Sequence, residues 1–459
     1  MKKIDLTGTI HKLKLISIIS FWIFLSTGCK KLLELDVVQN KTQSELVFSD
    51  QKTANDAING IYRQATENLQ SSISTYGSFV ADELTPTSLV PPYDIYYKNQ
   101  IPSNDANIPW ASFYKIIYSC NAAIEGLTSN VSVNVIYRNQ YIGEAKFNRA
   151  FCYMYLVNIF GDVPLVTTTN VQTNTLITRS SSSVIYEQIK NDLSDAIMKL
   201  QPDYSFNGLG KSRANKWAAV ALLARVNLYM KDYKAAEYNA SLVINSGLYS
   251  LMTIPTRIYV KDNIEAILQW AFYNGEQNEL ANNASLNPPG YTVSNKLFNS
   301  FESTDLRKLT WIGNKVISGQ TFYFPFKFTI TGPGSDERYT VLRLAEQYLI
   351  RAEAEAFQNN FADAIADVNV IRLKHGGLTH ALSVPISQTD CLDLILHERY
   401  LEFFNEGMHR WFDLKRTNKL DETMIIEKPG LWKSTAALYP IPLSDLQKNP
   451  NLRQNPGYE

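Results

Sequence analysis

Cysteine, histidine and unbalanced charge are what this 459-residue chain has little of. Its four cysteines, Cys29, Cys120, Cys152 and Cys391, stand far apart with no C-x-x-C pair, which excludes a disulfide framework and a cysteine zinc site. Cys120 and Cys152 lie in apolar, helix-like stretches, so buried inert thiols are expected there. Five histidines build neither a metal cluster nor a catalytic triad. His397-Glu398 begins as a metalloprotease motif does, but Leu401 stands where the second zinc histidine belongs. The Gly-Pro-Gly-Ser turn at 332–335 lacks the lysine of a phosphate loop. No cofactor and no metal are therefore expected. The 44 basic residues balance 44 acidic ones without forming a basic stripe, so nucleic acid is not an expected partner. Beyond residue 28 no apolar run is long enough to span a bilayer.

What is present begins at the N-terminus. Residues 15–25 are apolar except for Ser17 and Ser20, and Lys2, Lys3, Lys12 and Lys14 precede them. As a helix such a run covers roughly 16 Å, about half a bilayer core, which fits a secretory signal better than a membrane span. Ser26-Thr27-Gly28-Cys29 resembles a bacterial lipobox, cut before the cysteine, although Ser26 holds a place where that pattern prefers leucine. Residues 1–28 are then a lipoprotein signal peptide, and Cys29 is the lipid attachment site and new N-terminus. The mature body would touch the membrane through its lipid anchor only. Several acyl chains hold firmly where one holds marginally.

Much of the mature chain carries helical periodicity. Small and apolar residues recur at helical spacing over 217–230, Lys231-Asp232 interrupts with Asp232 as an N-cap, and a second helix runs to about Asn245 with Gly247 beyond it. A second hairpin overlays the first. Ala224 falls on Ala352, Tyr229 on Phe357, Tyr233 on Phe361, Ala236 on Ala364 and Val243 on Ile371. The aromatic-x-x-Ala start of each second helix follows a tetratricopeptide pattern. Weaker pairs occupy 52–69 with 110–127, and 140–160 with 184–200. The expected fold is mainly α: about four tetratricopeptide-like helical hairpins with long loop and short-strand insertions. Residues 248–340 mix β-branched and aromatic residues with Gly/Pro turns, predicting short strands and long loops. Residues 71–109 contain Pro86, Pro91, Pro92, Pro102 and Pro109 and are expected as a functional loop.

Four further stretches act together. "AKFNRAFCYMYLVNIFGDVPLV" closes a helix on Gly161-Asp162-Val163-Pro164-Leu165, and "NKLFNSFESTDLRK" carries Phe301, Glu302, Asp305 and Arg307. "RLAEQYLIRAEA" is the third, and "HERYLEFFNEGMHRWFDLKR" followed by "YPIPLSDLQKNPNLRQNPGY" the fourth. These resemble the SusD/RagB family of outer-membrane nutrient-binding lipoproteins over nearly the whole mature chain. The resemblance implies a non-enzymatic, lipid-anchored, surface-exposed protein on a tetratricopeptide scaffold. It also implies a partner, a TonB-dependent, SusC-like outer-membrane transporter, to which a captured glycan or other oligomeric nutrient is passed. By the same resemblance, 29–235 is the N-terminal SusD-like region with loop 71–109. Residues 236–459 are the C-terminal RagB/SusD region with the insertion 248–340. No ligand-binding residue is carried over, because the family's loop aromatics follow no fixed motif.

Two constellations compete as sites. Glu398, Glu402 and Glu406 stand one helical turn apart, about 5–6 Å between Cβ atoms, near the carboxyl separation of a retaining glycosidase. An anchored glycoside hydrolase is therefore one alternative, and a protein-binding tetratricopeptide adaptor another. Like charges in such a row repel unless paired, so a structural charge network of Glu398, Arg399, Glu402, Glu406 and Arg410, with Arg351 nearby, is the expectation. The better candidate surface is aromatic. The chain holds 26 tyrosines. Asp82, Glu83, Tyr93, Tyr96, Tyr97 and Trp110 flank a proline-stiffened loop, with Tyr273, Tyr291 and Trp311 in the second loop-rich region. Sugars stack C–H faces on such rings while carboxylates hydrogen-bond at the rim, and prolines lower the entropy lost on binding.

Overall fold

Small residues let helices approach closely, and here they do so in pairs. The structure, a computed structural model, describes residues 46–206, 208, 210–272, 279–329 and 336–458, the side chain of Leu280 aside. The expectations for the signal segment, Cys29, Tyr273 and the 332–335 turn lie outside the described residues.

Ten helices carry the architecture: α1 (Gln51–Ser71), α2 (Trp110–Ser129), α3 (Val135–Phe160), α4 (Ser182–Lys199) and α5 (Lys216–Tyr229). They continue with α6 (Tyr233–Ile244), α7 (Leu344–Phe357), α8 (Phe361–Lys374), α9 (Gln388–Phe403) and α10 (His409–Arg416). Four hairpins form, α1 with α2, α3 with α4, α5 with α6 and α7 with α8, and each packs on the next through α2–α3, α4–α5 and α6–α7. The contacts are alanine-rich: Ala218, Ala221, Ala224, Ala236, Ala240, Ala345, Ala352 and Ala364 are fully buried. Asp232 caps α6 through the Ala235 amide, and Asn215 caps α5 through Ala218. The two repeat turns pass through left-handed residues at matching positions, Lys231 (φ 63°) and Asn359 (φ 67°). Tyr233 stacks flat on Phe357, with centroids 4.0 Å apart, joining the two repeats. Cys120, Cys152 and Cys391 are buried free thiols, and burial pushes all three up.

The described residues form four small antiparallel sheets: β1 (Leu84–Pro86) with β5 (Tyr291–Val293), β2 (Val163–Pro164) with β3 (Arg179–Ser180), β4 (Ala266–Ala271) with β8 (Arg338–Arg343), and β6 (Ile312–Ile317) with β7 (Gln320–Pro325). Ser318 and Gly319 turn the β6–β7 hairpin with positive φ at both positions. The β1–β5 pair, in register Leu84↔Val293, joins the first loop region to the second.

One expectation is corrected. Residues 71–80 are not loop: a π-type segment (Ser72–Tyr76) and a short helix (Gly77–Val80) prolong α1, because Ile73, Phe79 and Val80 are buried apolar residues that a solvated loop would expose. Another short helix, Tyr93–Tyr97, sits within the expected loop. Phe48–Glu459 cluster as one unit, and the expected division at 235/236 runs through α6. No helix among the described residues is long and apolar enough to cross a membrane.

Candidate functional site

The C-terminal "FFNEGMHRW" turn explains how the proline-stiffened loop is held. Asn405, Gly407 and Met408 all have positive φ, so the chain reverses sharply between α9 and α10. The turn docks on residues 73–83. The Met408 amide donates to the Ile73 carbonyl at 2.8 Å, and the Asn405 amide group donates to Ser78 Oγ at 3.1 Å. A Cβ on Gly77 would lie 2.4 Å from Met408 Cγ, so only glycine permits this approach. Arg410 then grips the Asp82 carboxylate with two bonds of 2.7 and 2.8 Å, and Lys296 adds a third contact at 3.0 Å. Burial alone would raise the Asp82 carboxyl; the two cations outweigh it and hold it at about 2. At the other end of the loop the buried Lys428 ammonium donates to the carbonyls of Phe79 (2.6 Å) and Val80 (3.1 Å) and to Asn99 Oδ1 (2.7 Å). Asn99 Nδ2 also donates to the Val80 carbonyl, so both ends of the 81–98 segment meet at one point.

On this base two distant segments share one aromatic cluster. Tyr93 meets Tyr291 edge-on at 5.5 Å, Phe79 at 5.1 Å and Tyr76 at 6.3 Å, and Tyr76 meets Tyr96 at 4.5 Å. Asn283 clamps β5 through paired bonds with the Tyr291 backbone, each 3.0 Å. Tyr76, Tyr93 and Tyr97 remain half-buried, with part of each ring toward solvent. Tyr93 donates to Glu279 Oε1 at 3.2 Å, and burial raises that carboxyl above its ordinary range. The Tyr76 hydroxyl reaches Asn107 Oδ1 at 3.4 Å. Exposed Leu89, Val90 and Leu286 sit on the loops that carry this surface. Rings with a carboxylate and an amide at their edge can stack a sugar face and hydrogen-bond its hydroxyls.

The other candidate residues are placed differently. Tyr96, Tyr291 and Trp311 are at most 1% exposed, so no ligand reaches their faces. Tyr96 bonds Asp105, and the Trp311 indole donates to the Pro255 carbonyl with the Lys327 ammonium over its ring at 4.4 Å. Asp82 and Glu83 are likewise interior: the first is an ion-pair anchor, and the second accepts the Asn405 amide. Trp110 stands apart from the Tyr93 surface, joined to it through the ring contacts of Tyr96, Tyr439 and Phe160. As ligand contacts of that surface these six are corrected. Tyrosine and tryptophan combine a large apolar body with one polar atom, and tertiary packing decides which part is covered. Tyr76, Asn107 and Glu279 were not anticipated. Their signal was slight: Tyr76 lies one helical turn from Phe79 in a stretch expected as loop.

The carboxylate row lies in the interior and is neutralised from outside its helix. Glu402 accepts from Arg343, Arg307 (2.9 Å) and His375 Nδ1 (2.7 Å); Glu398 accepts from Arg307 (2.6 Å); Glu406 accepts from Lys327 (2.6 Å) and Arg343 (3.0 Å). The cations expected for the row serve other acids: Arg399 pairs with Asp413, Arg410 with Asp82 and Arg351 with Asp367. They were mistaken because proximity along one helix favours local partners, whereas Arg307, Lys327, Arg343 and His375 arrive from other elements. His375 is held between Glu402 and Glu265 (2.9 Å); burial would lower it, and the two carboxylates raise it to about 9. No group of metal-ligating side chains forms among the described residues.

Comparison with known proteins decides the family. A family model described as "Starch-binding associating with outer membrane" matches residues 35–228, and one described as "SusD family" matches 273–458. The chain belongs to the SusD/RagB family. A SusD-like protein of Formosa agariphila is 27% identical over 97% of this chain and 100% of its own. The starch-binding protein SusD of Bacteroides thetaiotaomicron is 33% identical over 27% of this chain and 22% of its own. Among solved structures, a SusD superfamily protein of Bacteroides thetaiotaomicron superposes with a TM-score of 0.75 at 25% identity, covering 88% of this chain and 99% of that one. Surface glycan-binding protein A from Bacteroides fluxus gives 0.74 at 21% identity, covering 89% and 100%. The SusD/RagB scaffold is thus the mainly helical, tetratricopeptide-like frame described above, with the aromatic surface built on its insertions.

Proposed function

We propose that this chain is a glycan-capturing lipoprotein of the outer-membrane surface. It is tethered by lipid on Cys29 and passes its ligand, without turnover, to a TonB-dependent outer-membrane transporter. The observation that carries the reading is the half-buried pair Tyr76 and Tyr93, with ring centroids 6.3 Å apart and with Glu279 and Asn107 beside them. Tyr97 extends the surface on the same short helix. The family descriptions and the relatives' glycan and starch binding support the ligand class; the lipobox-like Ser26–Cys29 supports the tether. Burial of Glu398, Glu402 and Glu406 and their ion pairs with Arg307, Arg343 and Lys327 speak against a glycosidase pair in that row, since hydrolysis needs an open carboxylate beside the scissile bond.

Isothermal titration of the mature chain against a panel of linear oligosaccharides tests the site. Tyr93→Ala and Tyr76→Ala are expected to weaken the bound member by about tenfold while leaving the thermal midpoint nearly unchanged. Equal affinity in both variants removes this surface as the site. In cells, a clickable palmitate analogue is expected to label the wild type and not Cys29→Ala; an unlabelled wild type removes the tether.

A further inference from the structure

A second aromatic-walled cavity, of about 260 Å³, opens where Trp110 lies, away from the Tyr93 surface. Trp110 and Tyr114 stand one turn apart on α2 with ring centroids 4.9 Å apart, and Trp110 is fixed from behind by the edge of Phe160 at 5.0 Å. The half-buried Tyr114 ring forms the accessible wall, its hydroxyl donating to the Pro164 carbonyl at 2.8 Å, so the ring cannot swing away. Val166, Ile177 and Leu452 complete the apolar lining. The facing wall is held in place by Asn449, whose amide donates to the Ile177 carbonyl at 2.8 Å.

The polar groups at the mouth are open. The Asp445 carboxylate is bonded only by the neighbouring Ser444 hydroxyl, on Oδ2, which leaves Oδ1 without a partner among the described residues. The Lys448 ammonium, one turn on, makes no ion pair with any described residue. The Trp110 indole N–H makes no hydrogen bond with any described residue. A rigid ring wall, with a carboxylate acceptor and an ammonium donor one turn apart at its edge, matches a pyranose. The C–H face lies on Tyr114, one hydroxyl donates to Asp445, and its vicinal neighbour accepts from Lys448. We propose that this cavity is a second saccharide site, taking a single sugar ring with vicinal hydroxyls. The inference rests on the glycan-capturing role proposed above. A second site apart from the Tyr93 surface would let one chain hold two strands, or two points of one long strand, which raises avidity without new contacts at the first site.

The test uses short probes: maltotriose, laminaritriose, xylotriose and mannotriose, titrated calorimetrically into the mature chain. For whichever probe binds, the stoichiometry is expected to be two per chain. The surface variant Asp445→Ala/Lys448→Ala is expected to reduce it to one, with the lost site at least about tenfold weaker and the thermal midpoint unchanged. Tyr93→Ala is expected to remove the other. A stoichiometry of one that Tyr93→Ala abolishes and the Asp445/Lys448 variant leaves intact overturns the second site and keeps the first. Binding lost only in the Asp445/Lys448 variant keeps this cavity and overturns the Tyr93 surface. A wild type that binds no trisaccharide, yet binds longer chains with one site, overturns the second site; one that binds neither overturns both proposals.

Discussion

Glu83 is a carboxylic acid that folding leaves without an ion-pair partner among the described residues. It is buried, accepts one amide from Asn405, and lies beside the ionised Asp82. Burial first, and the Asp82 charge second, push it up to about 8. An acid whose folded value is raised binds a proton in the native state that the unfolded chain has released, so stability falls as pH rises from about 4.5 to about 8. Glu83→Gln keeps the shape and removes the proton. Its thermal midpoint is expected to exceed that of the wild type at pH 8 and to converge with it near pH 5; parallel midpoint curves would show Glu83 to be ionised in the fold. Only part of this residue's setting was legible in the sequence. Asp82 and Glu83 could be recognised as special because charges end an apolar stretch, but exposure and burial of such a pair are decided by Arg410, 328 positions away from Asp82. The same holds for Tyr96 and Tyr97, adjacent in sequence, of which one is sealed against Tyr76 and the other faces outward.

At the scale of elements, the hairpins were legible and the first loop was not. Asp232, the alanines and the aromatic at each repeat turn act on neighbours within a few residues, so local rules suffice for them. Residues 71–80 lack a strong helical stripe, with Ser71, Ser72, Ser74 and Thr75 in sequence, and are kept helical by packing against the Met408 turn. The 81–98 segment that follows has no regular ladder of its own beyond three β1 residues and one short helix. It stays in place because Lys428 and Asn99 bind its two ends together. Lys428→Met preserves the apolar stem and deletes the ammonium. Losing these bonds is expected to cost the loop about 1–2 kcal/mol of local stability. Hydrogen exchange at the Lys98, Asn99 and Gln100 amides, which close the short helix, should then accelerate by about 5- to 30-fold with the hairpin amides unchanged. Exchange that stays at the wild-type rate would assign the loop's order to β1–β5 pairing alone.

Across the whole molecule, one buried charge cluster ties the repeat scaffold to the inserted sheets. Glu402 on α9 meets Arg343 at the end of β8, His375 just after α8 and Arg307 from the second loop region, and Glu265 beside β4 completes the circuit. Removing one member leaves the others charged without water, so Glu402→Ala is expected to destabilise by about 3–5 kcal/mol, and Glu402→Gln by less. Urea unfolding followed by both tryptophan fluorescence and far-ultraviolet dichroism checks this. The two probes should shift together, because the cluster joins scaffold and insertions; a shift in fluorescence alone would make it a local device.

The clamps on the aromatic loop come late in the chain: Arg410 follows Asp82 by 328 positions and Lys428 follows Phe79 by 349. A ribosome delivers the helical repeats first, and they can nucleate on their neighbours as they emerge. Tyr76 and Tyr93 gain these clamps only once the segment carrying Arg410 and Lys428 has docked. A molecule cut short before Arg410 would retain the residues of all four hairpins and lose both clamps.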